Sequence, residues 1–301
     1  MTPWHEQEIL KLIEGLAERQ GTSGILGDDA AVLDAPPRLA ICADLVTEGI
    51  HFDSSFVSPE QVGAKAVVVN ISDLAAMGAQ PTWLLVTVAA PLSYPLPELL
   101  IGVERAADRY GAVVVGGDTT RGAHLTVSVT AIGSLAEEPL RRSGALPGDW
   151  LLVTGPLGAS ARGLRLLRAG VRADPRCDAY LSPGARLAEG RLAARLGAHA
   201  AIDVSDGFAL DLTRLADASG VGFTLDDVPV AEDATLEEAL GGGEDFELIL
   251  AAPDPEVLYQ GFADEGLSPP IPVGRVLPDP TQRELRRAPL APSGWWHGPR
   301  G

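Results

Sequence analysis

The chain has 301 residues, 46% of them hydrophobic and 21% charged, with 41 acidic against 23 basic side chains and a formal charge of −18. That composition supports a packed core and excludes global disorder, and the acidic balance argues against a nucleic-acid partner, whose phosphates demand a basic face. No apolar run reaches the roughly 20 residues of a membrane span, Met1-Thr-Pro-Trp-His-Glu6 lacks the basic and apolar regions of a secretory leader, and Cys42 and Cys177 are too few for a disulfide scaffold; the expectation is a cytoplasmic protein with no membrane partner.

Residues 5–20 carry Ile9, Leu10, Ile13, Leu16 and Ala17 at the 3.6 period of an amphipathic helix ending at Gly21. After the turn Gly27-Asp28-Asp29, two short strands are predicted over 30–33 and 39–44. Pro59 opens a helix that runs to about Met77 and stops at Gly78. Residues 82–90 read as a buried strand and 97–110 as a helix, with Leu99, Leu100, Val103, Ala106 and Tyr110 inward. Strands follow over 112–115 and 125–132, the second alternating cleanly.

A second unit begins near Pro147-Gly148-Asp149. Strand 150–154 leads through Gly155-Pro-Leu-Gly158 into a helix at about 159–169. A polar stretch (170–183), a helix (184–197), strand 200–204 and helix 208–219 come next. Strand 221–225, a short helix near 234–240, strand 246–251, helix 254–265 and strand 271–276 complete the unit. The tail from Pro278, rich in proline and arginine, reads as irregular. The division is 1–145 and 146–301, and no internal repeat is visible.

Nucleotide-binding loops of the common kinds are absent. Lys11 and Lys65 are the only lysines, and neither sits in G-x-x-x-x-G-K-[ST]; the protein-kinase motifs and a G-x-G-x-x-G after the first strand are missing too. Carboxylates instead cluster beside glycine: Gly27-Asp28-Asp29, Ala43-Asp44, Ser72-Asp73, Gly116-Gly-Asp118-Thr-Thr, Asp203-Val-Ser205-Asp206-Gly207 and Gly241-Gly-Gly-Glu244-Asp245. Glycine there lets a backbone approach a ligand, and aspartates at strand ends suit hard, oxygen-seeking cations such as Mg²⁺. Each cluster alone also has a plainer reading. Asp28-Asp29 suits a turn, Gly-Gly-Asp118 is either a strand-end turn or a backbone nest for phosphate, and Asp206 suits the N-cap of helix 208–219. His51 is either a substrate contact or a local turn residue, and Arg142 either a phosphate fork or a surface arginine. Together the clusters point to a metal-dependent anion site.

Read in order, the clusters resemble a known family. Gly27-Asp-Asp-Ala-Ala31, Glu48-Gly-Ile-His-Phe52, Asn70-Ile-Ser-Asp-Leu-Ala-Ala-Met-Gly78, Gly116-Gly-Asp-Thr-Thr-Arg-Gly122, Pro147-Gly-Asp-Trp150, Ala201-Ile-Asp-Val-Ser-Asp-Gly207 and Gly242-Gly-Glu-Asp-Phe-Glu-Leu248 are similar to the thiamine-monophosphate kinases, which share a superfamily with aminoimidazole ribonucleotide synthetase and selenophosphate synthetase. The resemblance implies an α/β (α+β) fold of two domains. Residues 1–145 would bind ATP and Mg²⁺ and pair their sheet across a homodimer, and residues 146–301 would complete the active site. It implies transfer of the γ-phosphoryl of ATP onto thiamine monophosphate in line, assisted by several Mg²⁺ ions. Asp29, Asp44, Asp73, Asp118, Asp203 and Asp206 would be the metal ligands, with Asp29, Asp73, Asp118 and Asp206 central to catalysis. Gly117, Asp118, Arg142 and Ser205 would contact nucleotide, and His51, Glu244 and either Trp295 or Trp296 the thiamine moiety. The alternatives are another ATP-dependent member of the superfamily with a different acceptor, or a non-catalytic Mg²⁺–nucleotide sensor. Two departures stand out: Cys42-Ala43 replaces the family's Ser/Thr-Thr before Asp44, and the tail reads Gly294-Trp-Trp-His-Gly-Pro299 instead of Gly-Tyr-x-His-Phe.

Overall fold

The structure is a computed structural model that describes residues 4–20, 30–31 and 33–296. Two compact units make up the chain: Met1–Leu74 with Gln80–Leu135, and Ala75–Ala79 with Ala136–Gly301.

The first unit runs α1 (Glu6–Gln20), β1 (Leu39–Thr47), α2 (Pro59–Ala76, its last two residues grouped with the second unit), β2 (Gln80–Ala90), α3 (Leu96–Tyr110), β3 (Val113–Arg121) and β4 (Thr126–Ser134). Its sheet has the order β1-β4-β2-β3. Strand β4 is antiparallel to both neighbours, whereas β2 and β3 are parallel and joined through α3, the crossover that a parallel pair requires. Period-2 alternation in β4 buries Val127, Val129 and Ala131. Helix α3 turns Leu99, Leu100, Val103, Ala106 and Tyr110 inward and ends at Gly111 in the left-handed conformation. The other sheet face is open. Cross-strand register puts Ile41, Ala43 and Leu45 of β1 beside Ile132, Thr130 and Ser128 of β4, and Trp83 and Leu85 of β2 beside Ile132 and Thr130. On it Ile41 is 64% and Leu45 48% exposed.

The second unit runs β5 (Trp150–Val153), α4 (Ala159–Arg168), α5 (Asp178–Leu181), α6 (Leu187–Arg195), β6 (Ala200–Asp203), α7 (Phe208–Ser219), β7 (Gly222–Leu225), α8 (Leu236–Gly241), β8 (Leu248–Ala252), α9 (Pro255–Asp264), β9 (Ile271–Leu277), β10 (Arg283–Leu285) and β11 (Ala288–Pro289). Its seven strands lie in the order β11-β10-β7-β9-β5-β8-β6. Strands β5 and β8 read as continuous apolar runs because both faces are covered. Leu151, Val153, Ile202 and Ile249 pack with Phe208, Leu212 and Leu215 of α7. Leu152, Ala201 and Leu250 pack with Leu192 of α6 and with Leu258 and Phe262 of α9.

Several expectations are corrected. Residues 30, 31 and 33 form no strand. Strand β3 continues through Gly116-Gly117-Asp118 to Arg121, because after a register shift at Val115 β2 supplies a ladder partner for each residue from Gly116 to Arg121. The tail is not wholly irregular: β10 pairs with β7, and β11 with β10. Residues 136–145 pack in the second unit, where Leu140 and Ala145 are buried and the Leu140 N–H donates to the Met77 carbonyl.

Candidate active site

In the first unit, β1 and α2 bring Asp44 and Asp73 near Cys42. Asn70 and Asp73 share a helix face at i, i+3 spacing. The buried Asn70 accepts the Asp44 N–H at Oδ1 (2.9 Å), donates from Nδ2 to the Ala66 carbonyl (3.0 Å), and accepts the Cys42 thiol at its own carbonyl (3.4 Å). Burial, with the Asp73 and Asp44 carboxylates facing it, pushes the Cys42 thiol far above its usual range. Cys42 is therefore a neutral thiol.

His51 lies in the turn that follows β1. Its Nδ1 accepts the Thr47 N–H (3.1 Å), so the neutral ring carries its proton on Nε2. Its carbonyl accepts from Nζ of Lys65 (2.7 Å), a lysine only 2% exposed. Gly117 and Asp118 sit within β3, opposite Val86 and Thr87. A Cβ at position 117 would lie 1.8 Å from the Val86 carbonyl oxygen, which excludes every residue but glycine. Neither a turn nor a phosphate nest forms there, since the chain stays extended. Asp118 is exposed, and its Oδ1 accepts the Thr119 N–H (2.8 Å). Asp29 lies outside the described residues.

In the second unit, β6 delivers the buried Asp203 to the start of the Ser205-Asp206-Gly207 turn. Gly207 enters α7 with φ of 130°, and a Cβ there would meet Gly241 and Gly294 Cα at 3.0 and 3.2 Å. Asp206 is not the helix cap. The cap role falls to Asp211 of the first helical turn, whose Oδ2 accepts the N–H groups of Ser205, Asp206 and Gly207 (3.1, 3.0 and 3.0 Å). The Glu244 N–H donates to the Ser205 carbonyl and the Trp295 N–H to the Asp206 carbonyl, both at 2.8 Å. Asp203, Ser205, Asp206, Glu244 and Trp295 thus share one neighbourhood. Trp295 and Trp296 are both about half exposed. The backbone of Arg142 lies apart from this group. Its carbonyl accepts from Ser219 Oγ at the far end of α7, and twelve helical residues span about 18 Å.

Sequence reasoning misses the roles of three residues: Asp211, whose partners lie four to six residues away but meet it only in a buried turn, and Asp245 and Glu247, whose partners lie far along the chain. Besides Asp211, Asp245 caps α4 by accepting the Gly158 and Ser160 N–H groups (2.6 and 3.1 Å). Glu247 accepts from Thr154 Oγ1 (2.6 Å) and Arg186 Nε (2.8 Å). Burial pushes the Asp245 carboxyl up to about 6. A carboxyl raised above its unfolded value binds its proton more tightly in the folded state, so this group's stabilising contribution is lost as pH rises from about 4 through 6. The stability difference between wild type and Asp245→Asn, followed by urea unfolding across that window, is expected to shift against the wild type as pH rises; a flat difference would refute the shift.

Among the described residues no three histidine, cysteine or carboxylate side chains converge into a ready-made metal cage. Mg²⁺ takes one or two carboxylates and completes its shell with water and phosphate oxygens. The donors at Asp44, Asp73, Asp118, Asp203 and Asp206 are all oxygen.

The chain matches two family models, AIR synthase related protein, N-terminal domain, over residues 27–135, and its C-terminal domain over residues 147–284. These define its class: a two-domain AIR synthase related protein. The thiamine-monophosphate kinase of Rhodopirellula baltica is 36% identical over 297 residues, covering 90% of this chain and 88% of that one. The crystal structure of thiamine-monophosphate kinase from Stenotrophomonas maltophilia superposes with a TM-score of 0.83 at 31% identity, covering 93% and 96% of the two chains. AaThiL complexed with AMPPCP and TMP superposes with a TM-score of 0.79 at 30% identity, covering 97% of each. The chain belongs to the thiamine-monophosphate kinase family.

Proposed function

We propose that the chain transfers the γ-phosphoryl group of ATP directly onto the phosphate of thiamine monophosphate, giving thiamine diphosphate and ADP. One observation carries the reading: the likeness, over nearly the whole of both chains, to a structure complexed with an ATP analogue and TMP. Asp44, Asp73, Asp118, Asp203 and Asp206, with Asp29, would hold Mg²⁺, which when bound neutralises phosphate charge and supports in-line displacement. Gly117 offers a bare backbone to the nucleotide, and Ser205 and Arg142 are further nucleotide contacts. His51, with its proton on Nε2, and Glu244 and Trp295 face the thiamine moiety. The test is incubation with ATP, Mg²⁺ and thiamine monophosphate. Stoichiometric ADP and thiamine diphosphate are expected, and none with unphosphorylated thiamine. ATP binding without diphosphate would overturn the acceptor.

The same reading includes a homodimer formed through the open face of the first unit's sheet. Apolar side chains on one sheet face suit a self-complementary partner, and Ile41, Leu45 and Leu85 supply them. Ile41→Asp combined with Leu45→Asp is expected to halve the mass measured by analytical ultracentrifugation; an unchanged mass would exclude this face. Both cysteines are unpaired, in keeping with a reducing cytoplasm.

A further inference from the structure

Asp211 and Arg214 have no part in the reading above, yet they organise the turn on which Ser205 and Asp206 stand. Three successive N–H groups at a helix start form a natural nest for an anion such as phosphate. Here the nest is filled from within, since all three donate to Asp211 Oδ2. Asp211 is 1% exposed, so no ligand anion reaches those groups without displacing it. The turn's chemistry toward a nucleotide therefore passes through side chains, Asp206 first among them. Arg214 then links the two carboxylates: its Nη1 lies 2.5 Å from Asp206 Oδ2 and 2.8 Å from Asp211 Oδ1. Asp203 and Asp206 both act on Asp211 by charge repulsion, and Arg214 is the cation that lets these carboxylates stand close together.

We propose that Asp211 and Arg214 are positioning residues: Asp211 sets the backbone of the Ser205-Asp206-Gly207 turn, and Arg214 pins the Asp206 carboxylate to it before any ligand arrives. The effect on turnover rests on the phosphoryl-transfer reading, because it requires Asp206 to work in that site. Arg214 is about one-third exposed, so Arg214→Gln is expected to fold with a nearly unchanged Tm. Freed from its clamp, Asp206 swings, and misplacement of a charged group by about 1 Å costs up to about 100-fold.

The experiment compares wild type, Arg214→Gln and Arg214→Lys by steady-state kinetics, Tm and amide hydrogen exchange of the segment spanning 204–210. For Arg214→Gln the expected result is kcat down about tenfold or more, KM for both substrates within about threefold, and faster exchange at 205–207. Lysine keeps a charge between the carboxylates and is expected to restore most of both losses. A lower Tm with kcat and exchange unchanged would make Arg214 merely structural and overturn the proposal, as would exchange that stays slow in Arg214→Gln. Should the wild type itself form no thiamine diphosphate, the functional reading fails, and the exchange comparison still decides the positioning claim.

Discussion

Asp118→Asn is expected to lower kcat at least about 100-fold, the scale on which single electrostatic groups act in such sites, while leaving stability within about 0.5 kcal/mol. The stability half follows from local structure. Asp118 is exposed on β3, and its Oδ1 accepts the N–H of the next residue; asparagine keeps an amide oxygen at that place. Strand β3 is also anchored independently, by the close fit of Gly117 against Val86 and by the parallel ladder with β2. The catalytic half follows from charge, since the amide removes a full negative charge without changing size. Steady-state kinetics beside a thermal melt separate the two effects. Near-normal kcat would remove Asp118 from the site.

Chelation of divalent cations with EDTA is expected to reduce turnover below about 1%, with recovery on adding excess Mg²⁺. Donor and acceptor are both phosphates, and the chain carries −18. Two unit charges of like sign 4 Å apart repel by about 4 kcal/mol at an effective dielectric of 20, or roughly three orders of magnitude in rate for each unneutralised pair. Seven arginines of the second unit are already engaged. Arg165, Arg186, Arg195 and Arg214 are each engaged with carboxylates of their own unit, as are Arg176, Arg283 and Arg286. Turnover that survives EDTA would show that protein cations suffice, and would remove the metal from the mechanism.

The helices were the most legible part of the fold. Helix α7 spans Phe208–Ser219 as its periodicity predicts, and α2 and α3 begin and end within a residue of the expected places. Pro59, Gly78, Gly111 and Gly220 punctuate strong apolar patterns, and such signals are local. The site was legible in part for a related reason: a carboxylate beside glycine at a strand end is unusual enough to notice without any partner in view. Asp203, Asp206 and Glu244 were marked in this way, and the structure places them around the turn at Ser205.

Residue chemistry that depends on burial and on packed partners was not legible. Asp211 reads in sequence as one more acidic residue on a helix, and only folding shows it buried beneath the turn. Gly116-Gly117-Asp118 carries every local sign of a turn yet runs straight, because β2 lies alongside to hold it. Arg142 and Ser205 were grouped by resemblance, but α7 separates their backbones by its own length. The sequence alone determined which elements form, where they stop and which residues carry charge beside a bare backbone, since those follow from side-chain periodicity, backbone freedom and composition within a few residues. The tertiary structure alone decided which strands pair and which carboxylates share a cation or a nest of N–H groups. Strand pairing joins ladder partners tens of residues apart, and the Asp211 nest and the Arg214 link, though local in sequence, depend on burial and a turn geometry that no periodicity encodes.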